Sequence, residues 1–320
     1  MSGPFAIAER DAGRLVLERR PDYRGPRVGN VRRVEVVRSQ IPDAVDRYDR
    51  GELDLITVRY TPRIADLVEQ GRPDAVAGPA GWSGYLAFDH ADPALSDLDL
   101  RIALARAVDR AALAATMPAN LVLATGGVVP PALQGHTPDI ALRFDPDLAR
   151  EHLARSGFEG SLAVASLEGD RVLIEPVASS WRDVLGVPVE VRSWTWEMLP
   201  SMGDPREIAP IIFTGWLPGY ADPEYFLRLL FQSDSKTNEG RFSWPPFDEL
   251  IERARQERSD RGRLELFHEA DRMVVTERVA CIPLVYGRSM AIVRPRVHGW
   301  REFGKTSANF ADLHVDPQDA

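Results

Sequence analysis

The sequence predicts an α/β fold with a substantially mixed sheet. Short segments rich in β-branched residues alternate with amphipathic helical segments along the whole chain. The chain has 320 residues, of which 44% are hydrophobic, so it can bury a full core and is long enough for two lobes. No internal repeat or low-complexity tail interrupts the alternation.

The first 90 residues are expected to form strands separated by short helices. A β-favouring alternation predicts strands at 4–8, 14–20, 32–38, 53–56 and 85–88. Two helices are predicted at 42–50 and 62–70, because a glycine that can take the left-handed conformation follows each one.

The middle of the chain carries clearer helix boundaries. Ser96 and Asp99 bracket the predicted start of one long, packed helix, with apolar residues at helical spacing up to Leu113. Asp145 starts a helix that Gly157 ends. Residues 121–131 are extended. The segment 172–185 is a helix or a kinked helix despite its internal proline. Further strands are expected at 162–165, 187–191, 208–213 and 282–286, and helices at 247–257 and 261–276.

The stretch 213–226 is the candidate ligand-facing segment. It begins as the end of a strand, breaks at glycines and a proline, and restarts as a helix at Asp222-Pro223. Such a joint brings aromatic faces and free backbone N–H groups together in an α/β sheet. On these residues alone, an ordinary strand–loop–helix joint with aromatic residues in the core is an equal alternative.

Composition excludes several classes of protein. The net charge of −9 and a pI near 5.3 argue against nucleic acid as a partner. Cys281 is the only cysteine, so no intramolecular disulfide and no cysteine-based metal site is expected. No apolar run approaches the ~20 residues of a membrane-spanning helix.

No catalytic signature is visible. The sequence lacks a phosphate-binding Walker loop, a G-x-S-x-G nucleophile elbow and an H-E-x-x-H zinc motif. The six histidines do not occur at metal-ligand spacing, and Asp97 with Asp99 lacks the glycine and glutamate of a calcium loop. We therefore expect a protein that is not an enzyme and that needs no metal or cofactor.

Several segments in order resemble the family 5 extracellular solute-binding proteins, the oligopeptide, dipeptide and nickel binders of ABC importers. The resemblance covers essentially the whole chain. It is carried by the 213–226 loop with its Asp-Pro-x-x-Phe, by LRIALARAVD at 100–109, by FDPDLAREHLARSGF at 144–158 and by VRPRVHGW at 293–300. The segment from Ser2 to Phe5 also matches, but it falls well inside the polypeptide in the family.

The resemblance implies a two-lobed periplasmic-binding-protein type II architecture, dipeptide-binding-like, with mixed sheets. Because the family places a long segment before the one that matches Ser2, the first lobe is expected to be incomplete. We predict that residues 1–125 and 283–320 form this partial lobe I and that 126–282 form lobe II.

The implied function is solute binding for an ABC importer of the peptide family. A small-molecule or peptide ligand would be captured between two lobes by hinge closure and passed to permease subunits. The family is periplasmic or extracellular and membrane-anchored, here through a missing N-terminal anchor, and a monomer is expected. The alternative is a cytoplasmic ligand-sensing domain of a transcriptional regulator, and the residues before Ser2 would decide between the two.

The resemblance also names candidate ligand-binding residues. Trp216 and Tyr220 are the strongest, because aromatic faces bury area at low entropic cost. Trp194 is expected to be structural, since strand alternation sends neighbouring side chains to opposite sides. Asp222 is expected first to cap its helix and second to contact the ligand. The other candidates are Trp196, Leu217 and Tyr85.

Gly219 marks a departure from the family. Dipeptide and oligopeptide binders carry an aspartate there that pairs with the peptide's amino terminus, and a buried ammonium needs such a partner. The loop after strand 162–165 is also short, which leaves Arg171 as the candidate for binding a ligand carboxylate. We therefore expect a ligand other than a short free peptide, or a peptide held by its backbone.

Overall fold

A computed structural model of the protein describes residues 3–25, 29–39, 41–58, 62–198, 204–300 and 310–317. The chain forms two compact units. The first unit comprises Met1–Gly78 with Arg288–Ala320, and the second comprises Pro79–Gly287.

The first unit contains a three-stranded antiparallel sheet, in which the middle strand β2 buries the side chain of Val16. The three strands are β1 (Phe5–Arg10), β2 (Arg14–Arg19) and β3 (Arg33–Val37). Helices α1 (Ile41–Asp49) and α2 (Pro62–Glu69) flank strand β4 (Leu55–Val58) in sequence. The remaining strands are β11 (Val297–His298) and β12 (His314–Val315), which pair with each other.

The second unit is built on a mixed sheet, as the alternation of elements predicts. Strand β9 runs antiparallel to β5 and parallel to β7, which runs parallel to β8. The strands are β5 (Ala75–Phe88), β6 (Leu121–Leu123), β7 (Leu162–Leu167), β8 (Val189–Trp194), β9 (Ile211–Trp216) and β10 (Cys281–Val293). The two longest strands, β5 and β10, begin or end in the first unit, where the end of β10 pairs with β4.

Seven helices of the second unit are described. They are α3 (Leu98–Arg106), α4 (Arg110–Thr116), α5 (Pro146–Ser156), α6 (Arg171–Leu185), α7 (Glu224–Phe231), α8 (Pro245–Gln256) and α9 (Asp260–Arg272), the last continuing as a π-helical turn over Met273–Glu277. Asp145 caps α5 by accepting from Leu148 N, and Gly157 ends this helix with φ of 62°, as predicted.

The predicted long helix after Ser96 is wrong in two respects. Its cap is Asp97, whose side chain accepts from Leu100 N. The helix also breaks after Arg106, because Asp109 has extended backbone angles and its carboxylate accepts from Ala111 N and Ala112 N to start α4. A second aspartate cap thus divides one apolar pattern into two helices.

The core of the second unit lies between its sheet and the helices α3 to α6. Helix α6 continues through Pro176 and buries Trp181 completely. The indole Nε1 of Trp181 donates to Leu104 O at 2.9 Å, which joins α6 to α3. This core includes Leu86 and Phe88 of β5 as well as Phe213 of β9.

Two arginines, the buried Arg101 and the half-buried Arg110, bind backbone carbonyls of distant segments. Arg110 donates to Ala124 O, Leu142 O and Pro283 O, each at 3.1 Å. Arg101 donates to carbonyls of Leu95, Arg278 and Val279. Burial lowers the pKa of both guanidinium groups. These contacts satisfy carbonyl groups that the segment ends would otherwise leave unpaired.

The compact units divide the chain earlier than the predicted lobes do. Residues 79–125 belong to the second unit, in which α3 packs against α5 and Trp181 binds the α3 backbone. Compactness does not show which bodies move on ligand binding. The predicted lobes, 1–125 with 283–320 and 126–282, therefore stay a prediction.

Candidate functional site

The candidate site is the segment 216–225 of the second unit, which joins β9 to α7. Strand β9 extends three residues beyond its predicted end at Phe213, because Thr214, Gly215 and Trp216 pair with Tyr85, Gly84 and Ser83 of β5. Pro218, which has no N–H to donate to a neighbouring strand, lies just past the strand end.

Three aromatic side chains of this segment form one cluster, which we call the aromatic cluster: Trp216, Tyr220 and Tyr225. Tyr220 meets Tyr225 edge to face, with ring centroids 4.8 Å apart and an interplanar angle of 87°. Trp216 lies 6.0 Å from Tyr225 between ring centroids, and its Nε1 donates to Tyr225 O at 2.9 Å. Tyr220 is 51% exposed, so the cluster presents an ordered aromatic face to solvent.

Tyr225 is the member of the cluster that the sequence analysis missed. It follows the predicted helix start by three residues, so it was expected only as part of α7. The spacing from Tyr220 is a signal for this contact, since two residues five positions apart, one in a loop and one in the first turn of the next helix, can meet. The ring of Tyr225 also lies against Gly219, where an added Cβ would come within 2.9 Å of the phenolic oxygen.

Asp222 is held by hydrogen bonds in two directions. Its Oδ1 accepts from Glu224 N at 2.9 Å, which closes a turn at the start of α7. The capping position of α7 is Pro223. Arg263 of α9 donates to both carboxylate oxygens of Asp222, at 2.8 and 2.9 Å. These bonds, the one to Asp222 foremost, raise the pKa of Arg263. The predicted capping role of Asp222 is wrong by one position, because Pro223 is the cap residue and Asp222 closes the turn before the helix. Its predicted ligand contact stays a prediction.

Glu224 extends this ion pair into a network. Its Oε1 accepts from Arg228 Nε at 2.7 Å and lies 3.5 Å from Arg255 Nε, while its Oε2 accepts from Arg263 at 3.3 Å. Arg255 also pairs with Glu252. Three guanidinium groups thus balance three carboxylates behind the aromatic cluster, and the network joins α7, α8 and α9.

The predicted candidate Tyr85 lies in the interior. It is 4% exposed, opposite Thr214 on β9, with its ring centroid 6.5 Å from that of Phe231. Burial raises the pKa of Tyr85 well above its usual value. The tyrosine therefore packs in the interior between β9 and α7 and offers no exposed face.

Trp196 and Arg171 lie apart from the aromatic cluster. Trp196 is 69% exposed in the turn after β8, whereas Trp194, the last residue of that strand, is 6% exposed. Arg171 starts α6 and pairs with Glu175 one turn further along the helix. In the described ranges, no hydrogen bond, ion pair or ring contact joins Trp196 or Arg171 to the cluster. Leu217, the remaining candidate, is half-buried directly after β9.

Trp82 is another residue that the sequence analysis missed, and its indole lies against a pair of glycines. Gly84 and Gly215 are register partners on β5 and β9. A Cβ added at Gly84 would come within 2.5 Å of the Trp82 indole, and one added at Gly215 within 2.3 Å. The absence of side chains at these two positions makes room for the indole.

Among the described residues, metal-ligating side chains form no candidate centre. His298 and His314 are register partners on β11 and β12, and His298 Nε2 lies 2.8 Å from Asp316 Oδ2. In the part of the chain that the structure describes, however, no group of three or more histidine, cysteine, aspartate or glutamate residues could hold a metal ion. Among the described helices, none has the length and apolar character needed to cross a membrane.

Comparison with known proteins gives one family. A family model described as bacterial extracellular solute-binding proteins, family 5 middle, matches residues 1–238. The dipeptide-binding protein of Escherichia coli is 24% identical over 282 residues, which are 83% of this chain and 52% of that protein. The periplasmic oligopeptide-binding protein OppA of Salmonella typhimurium is 25% identical over 309 residues, or 90% of this chain and 55% of that protein. The chain thus spans about half the length of these relatives.

Solved structures share the fold. The unliganded open form of the periplasmic murein tripeptide-binding protein MppA superposes with a TM-score of 0.76 at 21% identity, covering 93% of this chain and 60% of that one. HbpA2 from Haemophilus parasuis superposes with a TM-score of 0.79 at 22% identity, covering 98% and 64%. These likenesses confirm the predicted α/β fold with mixed sheets, of the type II periplasmic-binding-protein class.

Proposed function

Because the chain belongs to family 5 of the bacterial extracellular solute-binding proteins, we propose that it is the solute-recognition part of an ABC importer of the peptide family. The relatives named for dipeptide and oligopeptide binding support this proposal. No finding supports the alternative of a transcriptional regulator.

The observation that carries the proposal is the ordered and exposed aromatic cluster. Free tyrosine side chains on a flexible loop would lose conformational entropy on binding, whereas Tyr220 is already packed against Tyr225, and Trp216 is fixed by its hydrogen bond. A solute that covers Tyr220 gains burial of apolar area with little ordering cost. We propose Trp216, Tyr220 and the backbone from Leu217 to Gly219 as the ligand-contacting surface.

The other predicted contacts have less support. Tyr85 is buried, and the carboxylate of Asp222 is bound to Arg263. Trp196, in the turn after β8, and Arg171, at the start of α6, have exposed side chains and remain predicted contacts. We propose that the ligand is released chemically unchanged, because the segment 216–225 offers binding surfaces and no nucleophile with an adjacent base.

The proposed partners follow from the family. A closed, ligand-bound form would be recognised by permease subunits, and the ligand drives closure only through its higher affinity for that form. We propose an extracytoplasmic location, a membrane anchor and a monomeric state for the whole protein. The lobe boundaries predicted from the sequence belong to this proposal.

The test is direct titration of the protein by isothermal calorimetry with a library of di- to pentapeptides, each with a free and with an acylated amino terminus. The proposal predicts saturable 1:1 binding that Tyr220→Ala weakens about tenfold or more, because one aromatic contact of this size contributes roughly 1–2 kcal/mol. Phe144→Ala is the matched control, since Phe144 is also an exposed aromatic residue at 40% exposure and lies outside the segment 216–225. Equal losses in both variants, or no binding by the unmodified protein, would contradict the proposal.

A further inference from the structure

We propose that the segment 216–225 selects a ligand whose contacting end carries no charge, and that Tyr225 is a specificity-determining residue. The class of ligand that fits is a peptide whose amino group is blocked by an acyl group. This inference rests on the proposed function and specifies its ligand.

The first argument is the state of the carboxylates beside the aromatic cluster. Both oxygens of Asp222 accept from Arg263, and both oxygens of Glu224 accept from arginine side chains. With Arg255 3.5 Å from Glu224, three guanidinium groups surround these two acids. Neither of these two described carboxylates is free to pair with a ligand ammonium, and desolvating an unpaired ammonium is costly.

The second argument is the chemistry of Tyr225. Its hydroxyl lies at the position that a side chain on residue 219 would occupy, 2.9 Å from the Cβ position of Gly219. In the described ranges this hydroxyl has no hydrogen-bond partner. A phenol is uncharged near neutral pH and can both donate and accept, so it suits the carbonyl and N–H of an amide.

The third argument excludes a cation cage. Aromatic cages bind quaternary ammonium groups by enclosing them between separated ring faces. Here Tyr220 and Tyr225 are in direct edge-to-face contact at 4.8 Å between centroids, so the rings fill the space between them. What remains is the outer face of Tyr220, an apolar surface that a methyl or acyl group can cover.

The test compares Ala-Ala-Phe with N-acetyl-Ala-Ala-Phe by calorimetry at pH 7. The inference predicts that the acetylated peptide binds the unmodified protein at least tenfold more tightly. Tyr225→Phe keeps the ring and removes only the hydroxyl. It should weaken binding of the acetylated peptide about three- to tenfold and leave binding of the free-amine peptide unchanged. Gly219→Asp, which adds a carboxylate, should shift the preference toward the free amine; its thermal midpoint reports whether it folds.

The outcomes separate the two proposals. Equal or tighter binding of the free-amine peptide by the unmodified protein overturns this inference and leaves the proposed function standing. Binding of neither peptide overturns both. If Gly219→Asp does not fold, the comparison of the two peptides on the unmodified protein and on Tyr225→Phe still decides.

Discussion

Arg263 of α9 and Asp222 of the candidate loop form a two-point ion pair, with Nη1–Oδ2 and Nη2–Oδ1 distances of 2.8 and 2.9 Å. The two residues are 41 positions apart in sequence, and about a quarter of each side chain is exposed. The guanidinium of Arg263 also lies over the ring of Phe267, 4.6 Å from its centroid. The start of α7 is thereby fixed to a helix that the sequence places far away.

Replacing Arg263 should destabilise the second unit. Arg263→Met leaves Asp222 and Glu224 without their shared donor, so we expect a loss of about 1–2 kcal/mol in the free energy of unfolding. Urea denaturation measures it. Arg261→Met is the matched control on the same helix, because Arg261 is 90% exposed and pairs only with Glu265 four residues on. Equal effects of the two changes would show that the ion pair with Asp222 is not stabilising.

The buried indole of α6 should be sensitive to a conservative change. Trp181→Phe removes the Nε1 donor to Leu104 O and leaves a cavity in the core, so we expect a loss of about 2–4 kcal/mol in the free energy of unfolding. Trp196→Phe, at an exposed position, should change it by less than about 0.5 kcal/mol. A small effect at Trp181 would mean that this side of the core is less tightly packed than the structure shows.

The glycine pair beneath Trp82 gives a steric prediction. In Gly215→Ala the new Cβ would lie 2.3 Å from the indole, so the indole must move, and we expect a loss of about 1–3 kcal/mol in thermal or urea unfolding. Gly169→Ala is the control, because nothing lies within 4 Å of its Cβ position. Unchanged stability in Gly215→Ala would show that Trp82 does not depend on the glycine pair.

Asp271 predicts the pH dependence of stability. Burial raises its pKa from 3.8 to about 7, although Val128 N donates to its Oδ1 at 2.8 Å. Thr137 and the neighbouring Arg272 lower the pKa of this carboxyl, while burial and the carboxyl itself raise the pKa of Tyr286 on β10. Between these two pH values the folded state holds a proton that the unfolded state has released. The contribution of Asp271 to the free energy of unfolding should therefore fall as pH rises through this window and level off above about 7.

Asp271→Asn isolates this effect. An amide oxygen can still accept from Val128 N, so the variant should fold and lose only the contribution of Asp271 to the change in stability between pH 4 and pH 7. Asp147→Asn is the control, because the Asp147 side chain is 91% exposed. Urea midpoints measured across this range decide. The prediction fails if the slope of the midpoint against pH is the same in Asp271→Asn as in the unmodified protein.

Local patterns predicted much of the fold and the centre of the candidate site. Gly157 and Asp145 were identified correctly as the ends of α5, because capping depends on neighbours within a few residues. Trp216 and Tyr220 were identified from one contiguous stretch. The break at Asp109 was missed, because an apolar periodicity continues across it and only the backbone conformation reveals the second cap.

Long-range contacts account for the other misses. Arg110 binds carbonyls 14, 32 and 173 residues away, and no local pattern reports such partners. Tyr85 lies in the part of β5, residues 83–88, that is buried on both faces, and its contact with Phe231 comes from a helix far along the chain. Trp82 was missed for the same reason, since its partner Gly215 lies on a strand far along the chain.

The central claim is that the segment 216–225 holds a solute against its aromatic cluster. A crystal structure of the protein with a peptide identified by calorimetry tests it most directly. The account predicts ligand atoms within about 4 Å of the Tyr220 ring and the Trp216 indole, the distance of van der Waals contact. A ligand bound elsewhere, with Tyr220 still facing solvent, would contradict it.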